Sequence, residues 1–200
     1  IIPNENTFKN LKDKIKNSYF ETNINEENFN FVYELSKLLK ISKKNFISSF
    51  KTFKGLPHRY EIFLKKKNKI FINDSKATSF EATKRALLNG KNILWILGGL
   101  PKNKDRLTLS GIQKNILKCY IVGKHVNFFE KQIKNKFEYS KTYNLRKTIL
   151  KISQDLKNLD IKKVIILLSP SAASYDQFKN FEERGEAFKR LAKLYARKFN

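Results

Sequence analysis

Two hundred residues carry 42 Lys and Arg against 18 Asp and Glu, a formal net charge of +24, with one Cys and no Met. A single cysteine excludes an intrachain disulfide framework and a thiolate metal cluster, and two histidines, His58 and His125, cannot alone make a zinc site. No apolar run approaches the roughly 20 residues of a membrane span, so a soluble cytoplasmic protein is expected, long enough for one good-sized α/β domain plus a smaller piece.

The chain opens at Ile1 without an initiator Met, which reads as the tail of a longer polypeptide. Residues Ile1 to about Asn23 mix lysines with short apolar groups and give no clear element. From Asn25 onward Val32, Leu35, Leu38 and Leu39 form one helical stripe, and Phe46, Ile47, Phe50 and Phe53 form a second, with Ser42 placed to cap the second helix. Two such short helices cannot bury both stripes alone, so a partner surface from outside the pair is expected. Gly55-Leu56-Pro57-His58-Arg59 breaks the pattern, and the domain boundary is set there, dividing residues 1–56 from 57–200.

Strands are predicted over Tyr60 to Leu64 and Ile70 to Asn73 around a turn at Lys67-Asn68. The capping-box spacing of Thr78 and Glu81, with Gly90 as a stop, predicts a helix from Ser79 to Asn89. A strand over Asn92 to Leu97 ends in Gly98-Gly99-Leu100-Pro101-Lys102. A helix over about Leu107 to Leu117, a strand Cys119 to Val122 and a short helix His125 to Lys134 are expected next. A helix with Leu145, Ile149, Ile152 and Leu156 on one face then leads into Val164-Ile165-Ile166-Leu167-Leu168. That unbroken apolar run reads as a strand covered on both faces. Beyond it Phe181, Phe188, Leu191, Leu194, Tyr195 and Phe199 predict a long closing helix. The alternation implies an α/β fold with a doubly wound, mainly parallel sheet.

In a parallel sheet the loops Asp74 to Thr78, Gly98 to Lys102 and Ser169 to Tyr175 all leave by the carboxyl edge, where ligands bind. Thr78, Lys102 and Ser174 can then converge, and hydroxyls with ammonium groups suit an anionic ligand. The charge also fits a nucleic-acid binder, but the lysines are scattered and no recognition motif accompanies them. Neither Gly-x-x-x-x-Gly-Lys-Ser/Thr nor Gly-x-Gly-x-x-Gly occurs, and Ser174 lacks a Gly-x-Ser-x-Gly elbow, so a triad with Asp176 and His58 is not expected. A non-catalytic module for an amino acid or polyanion, and an amide ligase with another amino-acid substrate, remain open alternatives.

Four motifs in order carry a resemblance: Gly-Leu-Pro-His-Arg at 55 to 59, Asn-Asp-Ser-Lys-Ala-Thr at 73 to 78, Leu-Gly-Gly followed by Lys102, and Leu-Ser-Pro-x-x-Ala-Ser-x-Asp-Gln-Phe-x-Asn-Phe-Glu-x-Arg-Gly at 168 to 185. Together they resemble the D-glutamate-adding branch of the Mur ligase family. The likeness extends back to Asn25 and Asn28, similar to an Asn-x-x-Asn pair of the family's central domain. The resemblance implies that residues 57–200 are the dinucleotide-binding-like C-terminal domain, preceded by a helical remnant of the central ATPase domain. It implies peptidoglycan precursor synthesis: phosphoryl transfer from ATP to the carboxylate of UDP-N-acetylmuramoyl-L-alanine, then attack on the acyl phosphate by the amine of D-glutamate. By the same resemblance Thr78, Lys102, Ser174, Phe181 and the backbone at Tyr175 would hold D-glutamate. Asn25, Asn28, His58, Arg59, Asp74 and Lys76 would face ATP, with Arg59 and Lys76 as the catalytic cations. The Phe181 ring can equally be a helix-core aromatic, and Asp74 and Thr78 can be turn and cap residues.

The family's phosphate loop, metal-bridging lysine and uridine-nucleotide domain would lie upstream of Ile1, so magnesium has no expected ligand in this chain. Thr22-Asn23-Ile24 replaces a Gly-x-His before the Asn pair, and Leu100 stands where a polar residue is common in the family. The chain is therefore expected to act as a monomeric C-terminal part that does not turn over ATP alone.

Overall fold

The computed structural model describes residues 4, 6–20, 25–108, 110–159 and 161–199. The Thr22-Asn23-Ile24 departure lies outside them. The chain divides into two compact units, Ile1–Gly55 and Leu56–Asn200.

In the first unit α1 (Thr7–Ile15), α2 (Glu26–Leu38) and α3 (Lys43–Thr52) gather around an aromatic cluster. Phe8, Phe20, Phe29 and Phe46 are buried in it, and Phe29 meets Phe8 and Phe50 edge-on at 5.3 and 4.9 Å. Helix α1 was not anticipated, although Phe8, Leu11 and Ile15 share its buried face. The Ser42 hydroxyl accepts from the Asn45 N–H as expected of an N-cap. The α2 stripe is corrected: Val32, Leu35, Leu38 and Leu39 are 43%, 40%, 65% and 64% exposed, whereas Phe29, Asn30 and Ser36 are buried. This helix carries apolar residues on two faces, and the larger rings of Phe29 and Tyr33 win the core through aromatic contacts.

The second unit is a six-stranded sheet in the order β1-β2-β6-β3-β4-β5. Its strands are β1 (Glu61–Lys66), β2 (Lys69–Asn73), β3 (Ile93–Gly98), β4 (Ile116–Val122), β5 (Tyr139–Tyr143) and β6 (Val164–Leu168). Only the β1–β2 hairpin is antiparallel, and every other pairing is parallel. β3 and β6 are buried along their whole length, which is why they read as unbroken apolar runs.

One face carries α6 (Leu145–Asp155) and α7 (Phe181–Leu194), with Ile149, Ile152, Phe188 and Ala192 packed on Leu94, Ile96, Ile166 and Leu168. On the other, α4 (Phe80–Leu88) and α5 (Val126–Ile133) meet through Phe80 and Phe129, ring centroids 6.0 Å apart. The doubly wound architecture therefore stands. Cys119 is a buried core residue whose thiol is pushed up by burial.

Two readings are corrected here. The segment expected as a helix from Leu107 to Leu117 is a loop with a short 3-10 turn at Gln113–Asn115, and β4 begins at Ile116. Gly111 takes φ +78 within it, Ile112 is buried as a loop anchor, and Ile116 is buried as the first residue of β4. β5 was missed because its buried residue is polar: Thr142 faces inward and shares a 2.6 Å hydrogen bond with Thr148, while Tyr143 faces out.

Candidate functional site

Because β2, β6 and β3 run parallel, Asn73, Leu168 and Gly98 end on one edge, and their loops are stitched together there. The Ser171 N–H donates to the Ala77 carbonyl at 3.0 Å, and Asp74 N–H to Leu168 at 2.8 Å. Leu100 and Ala173 exchange two backbone hydrogen bonds of 2.9 and 3.0 Å, joining the β3 loop to the β6 loop. Gly99 makes that approach possible, and Gly98 lets the end of β3 lie close against β4. A Cβ on Gly98 would lie 2.0 Å from the Val122 carbonyl oxygen, and one on Gly99 would lie 2.3 Å from that of Ala173.

Lys102 opens a turn whose Asp105 N–H donates back to its carbonyl at 3.2 Å, and the Asp105 carboxylate accepts from the Phe80 N–H at 3.0 Å. That contact brings the Lys102 loop to the start of α4, beside Thr78. The N-cap of α4 is Ser79, which accepts from the Ala82 N–H, so the capping-box role read for Thr78 is corrected. Thr78 is half-buried and leaves its hydroxyl outside the cap. Ser174 is buried, Lys102 is exposed, and Tyr175 is 71% exposed.

The side chains around β2 form a second group. The Asp74 carboxylate is buried; it accepts the Ser169 hydroxyl at 2.7 Å and the Tyr60 N–H at 3.1 Å. Burial pushes it up to about 7, against the lowering effect of those two bonds and of Arg59. His58 sits at φ +61 with its Nδ1 2.9 Å from the Asn73 amide. Its ring meets Phe181 edge-on at 6.0 Å, and the Lys76 ammonium lies 5.1 Å over the Phe181 ring. Phe181 is thus the shared neighbour of both, half-buried at the first turn of α7. Arg59 and Lys76 keep exposed head groups. Asn25 and Asn28 belong to the first unit. Asn25 is buried at the start of α2 without capping it, and its Nδ2 has no hydrogen-bond partner among the described residues.

No serine triad is assembled. The Asp176 carboxylate accepts from the Lys124 N–H at 2.9 Å, and His58 is turned to Asn73 and Glu186.

Arg184, within the motif at 168 to 185, is 2% exposed. Its guanidinium donates to Ser75 Oγ at 2.9 Å, to the Ser75 carbonyl at 2.7 Å and to the Ala172 carbonyl at 3.0 Å, pinning the β2 and β6 loops from below. Burial lowers it to about 10, so it stays a cation at neutral pH. Ser169, Ser171 and Thr83 form a buried hydroxyl chain continuing from Asp74. Little in the sequence marks these residues, because arginine and serine are usually exposed. Among the described residues no group of three His, Cys, Asp or Glu side chains is placed to hold a metal ion.

The fold is a doubly wound sheet whose β2, β3 and β6 loops are joined on its carboxyl rim, the edge where ligands bind in open α/β sheets. Over most of its length the chain is similar in sequence to D-glutamate-adding ligases of the Mur type. Its sequence is 41% identical over 168 residues to the UDP-N-acetylmuramoylalanine–D-glutamate ligase of Wolbachia sp. subsp. Brugia malayi, covering 84% of this chain and 33% of that protein. The ligase of the same name from Rickettsia felis is 35% identical over 173 residues, 86% of this chain and 38% of its own. The chain thus spans about a third of the length of the curated relatives it matches. Among solved structures, MurF from Acinetobacter baumannii superposes with TM-score 0.56 at 11% identity, covering 83% of this chain and 38% of that one. A MurF ligase from Thermotoga maritima in complex with ADP gives 0.50 at 17%, over 80% and 36%. These structures share the fold. No family model matches the chain. Among the described residues no helix is long and apolar enough to cross a membrane.

Proposed function

We propose that this chain is the amino-acid-binding part of an ATP-dependent ligase that adds D-glutamate to UDP-N-acetylmuramoyl-L-alanine in peptidoglycan precursor synthesis. The observation that carries the reading is the stitching of the Thr78, Lys102 and Ser174 loops into one rim by the Leu100–Ala173 and Ser171–Ala77 hydrogen bonds. Residues 57–200 are the substrate domain in this reading, and residues 1–56 the end of the central ATP-binding domain.

The Lys102 ammonium pairs with a carboxylate of D-glutamate, while the Thr78 and Ser174 hydroxyls and the Tyr175 backbone fix its orientation. Bound ATP supplies the phosphoryl group that activates the nucleotide substrate's carboxylate. Arg59 and Lys76 counter the negative charge on the departing phosphate when the amine attacks. Lys76 is steadied for this by the face of Phe181. Asp74 and His58 set the backbone from which Arg59 and Lys76 extend, since the Lys76 N–H donates to the His58 carbonyl at 3.1 Å. The unpartnered amide of Asn25 suits a polar group of the adenine nucleotide.

The test is an assay of the complete gene product with ATP, the muramoyl-alanine nucleotide and a panel of D-amino acids, read as phosphate release. D-Glutamate alone should support turnover, and preference for another amino acid would refute the substrate assignment. The 200-residue chain should release no phosphate with the same mixture. A competing reading as a related amide ligase is disfavoured by the Asp-Gln-Phe-x-Asn-Phe-Glu-x-Arg-Gly run at 176 to 185.

A further inference from the structure

Beside the amino-acid rim, and sharing none of its proposed residues, a cleft of about 430 Å³ opens between the loop after Lys102 and α5. It is lined by Lys104, Asp105, Arg106, Leu107, Phe128, Lys131, Gln132 and Lys136, so four of eight lining residues are cations and one is an acid. The acid is already committed, because Asp105 accepts the Phe80 N–H at the start of α4. The nearest acid on α5, Glu130, is engaged by Lys141 at 2.7 Å and by the Tyr139 hydroxyl at 2.7 Å. Among the described residues none of the four cations has a carboxylate within 4.0 Å.

The walls of this cleft are tied together. The Leu107 N–H donates to the Gln132 side chain at 3.2 Å, joining loop to helix, and Asp105 anchors the other end of the loop. At the carbonyl end of α5, which would repel an anion, the Lys134 and Phe137 N–H groups take the Glu130 and Ile133 carbonyls at 2.8 and 3.1 Å. The Lys136 ammonium takes that of Gln132 at 3.0 Å, leaving further N–H groups of that ammonium free to donate. Four like charges around one concavity repel each other, and an anion that bridges them relieves the repulsion. A monovalent anion meets this incompletely. A group carrying several oxygens and charges matches both the Arg106 fork and the three ammonium points.

We propose that this cleft is a binding site for a small anion bearing two or more phosphate groups, of the pyrophosphate class. The site is separate from the amino-acid rim and does not depend on the ligase reading.

Inorganic pyrophosphate titrated calorimetrically into the 200-residue chain tests it. The expected result is saturable binding at one site per chain. The exposed pair Lys131→Ala with Lys136→Ala should weaken it about tenfold or more, the loss expected when two charge-assisted contacts go. A control pair removing the same charge elsewhere, Lys157→Ala with Lys162→Ala, should change it less than about twofold. Lys102→Ala should leave it intact. Far-UV circular dichroism of each variant should match the parent, since all of these side chains are exposed. Binding that never saturates would overturn the proposal, as would equal weakening by the two pairs, since both mean attraction to the overall charge. Loss on Lys102→Ala with none on the Lys131 and Lys136 pair would place the anion in the amino-acid rim and also overturn it.

Discussion

Replacing Arg184 by Met tests whether the rim is held from beneath. The guanidinium donates to two buried carbonyls, those of Ser75 and Ala172, and to the Ser75 hydroxyl. Methionine fills part of the space but donates nothing. Each carbonyl left without a donor costs about 1–3 kcal/mol. Removing a desolvated cation and gaining apolar contacts offset part of this, so a net loss of about 3 kcal/mol is expected. For a unit of about 145 residues that lowers Tm by roughly 10 °C. Arg184→Lys keeps the charge but not the three-point fork, and should fall between the two. Thermal unfolding followed by circular dichroism gives the shift, and amide hydrogen exchange locates it. Protection should drop at the Ser171 and Leu100 N–H groups, which bind Ala77 and Ala173 across the loops, more than at Ile121 in β4. A Tm within about 2 °C of the parent, or a uniform loss of protection, would refute the pinning role.

Three other outcomes follow from named contacts. Asp74 retains its proton in the folded chain up to about pH 7, whereas the unfolded chain loses it near 4, so the folded state binds more protons between those values and stability falls as pH rises through that window. Asp74→Asn removes this slope, and the variant should gain on the parent by up to the order of 4 kcal/mol between pH 4 and 8 in urea titrations; parallel curves would contradict a carboxyl whose desolvation outweighs its hydrogen bonds. Gly185→Ala should lower Tm despite alanine's better helix propensity, because its Cβ would lie 2.2 Å from His58 Nδ1 and 2.9 Å from the Asn73 amide. A higher Tm would mean that α7 does not approach His58 so closely. Leu38→Glu in α2, on a face 65% exposed, should leave Tm of the 200-residue chain unchanged within about 2 °C, and a large fall would return that residue to the core.

The sheet was legible where burial is two-sided. β3 and β6 are unbroken apolar runs because both faces are covered, and their parallel pairing follows from the helices between them. The meeting of the β2, β3 and β6 loops on one edge follows from that topology. Elements with one-sided or inverted patterns were not legible. β5 turns Thr142 inward and Tyr143 outward, α2 offers two apolar faces, and Ile112 and Ile116 mimic a helix stripe while one anchors a loop and the other opens β4. Arg184 was hidden for a different reason. A buried cation whose hydrogen bonds go to a hydroxyl and backbone carbonyls leaves little in the sequence to point to it, since the charge it feels from Asp176 comes without a direct ion pair.

The most direct measurement of the central claim is steady-state kinetics on the complete gene product carrying Thr78→Ala, Lys102→Ala or Ser174→Ala. If the three loops make one amino-acid pocket, each substitution raises KM for D-glutamate by about tenfold or more and moves KM for ATP by less than about threefold. Equal effects on both substrates, or a D-glutamate effect at only one of the three positions, would show that these residues do not share a pocket.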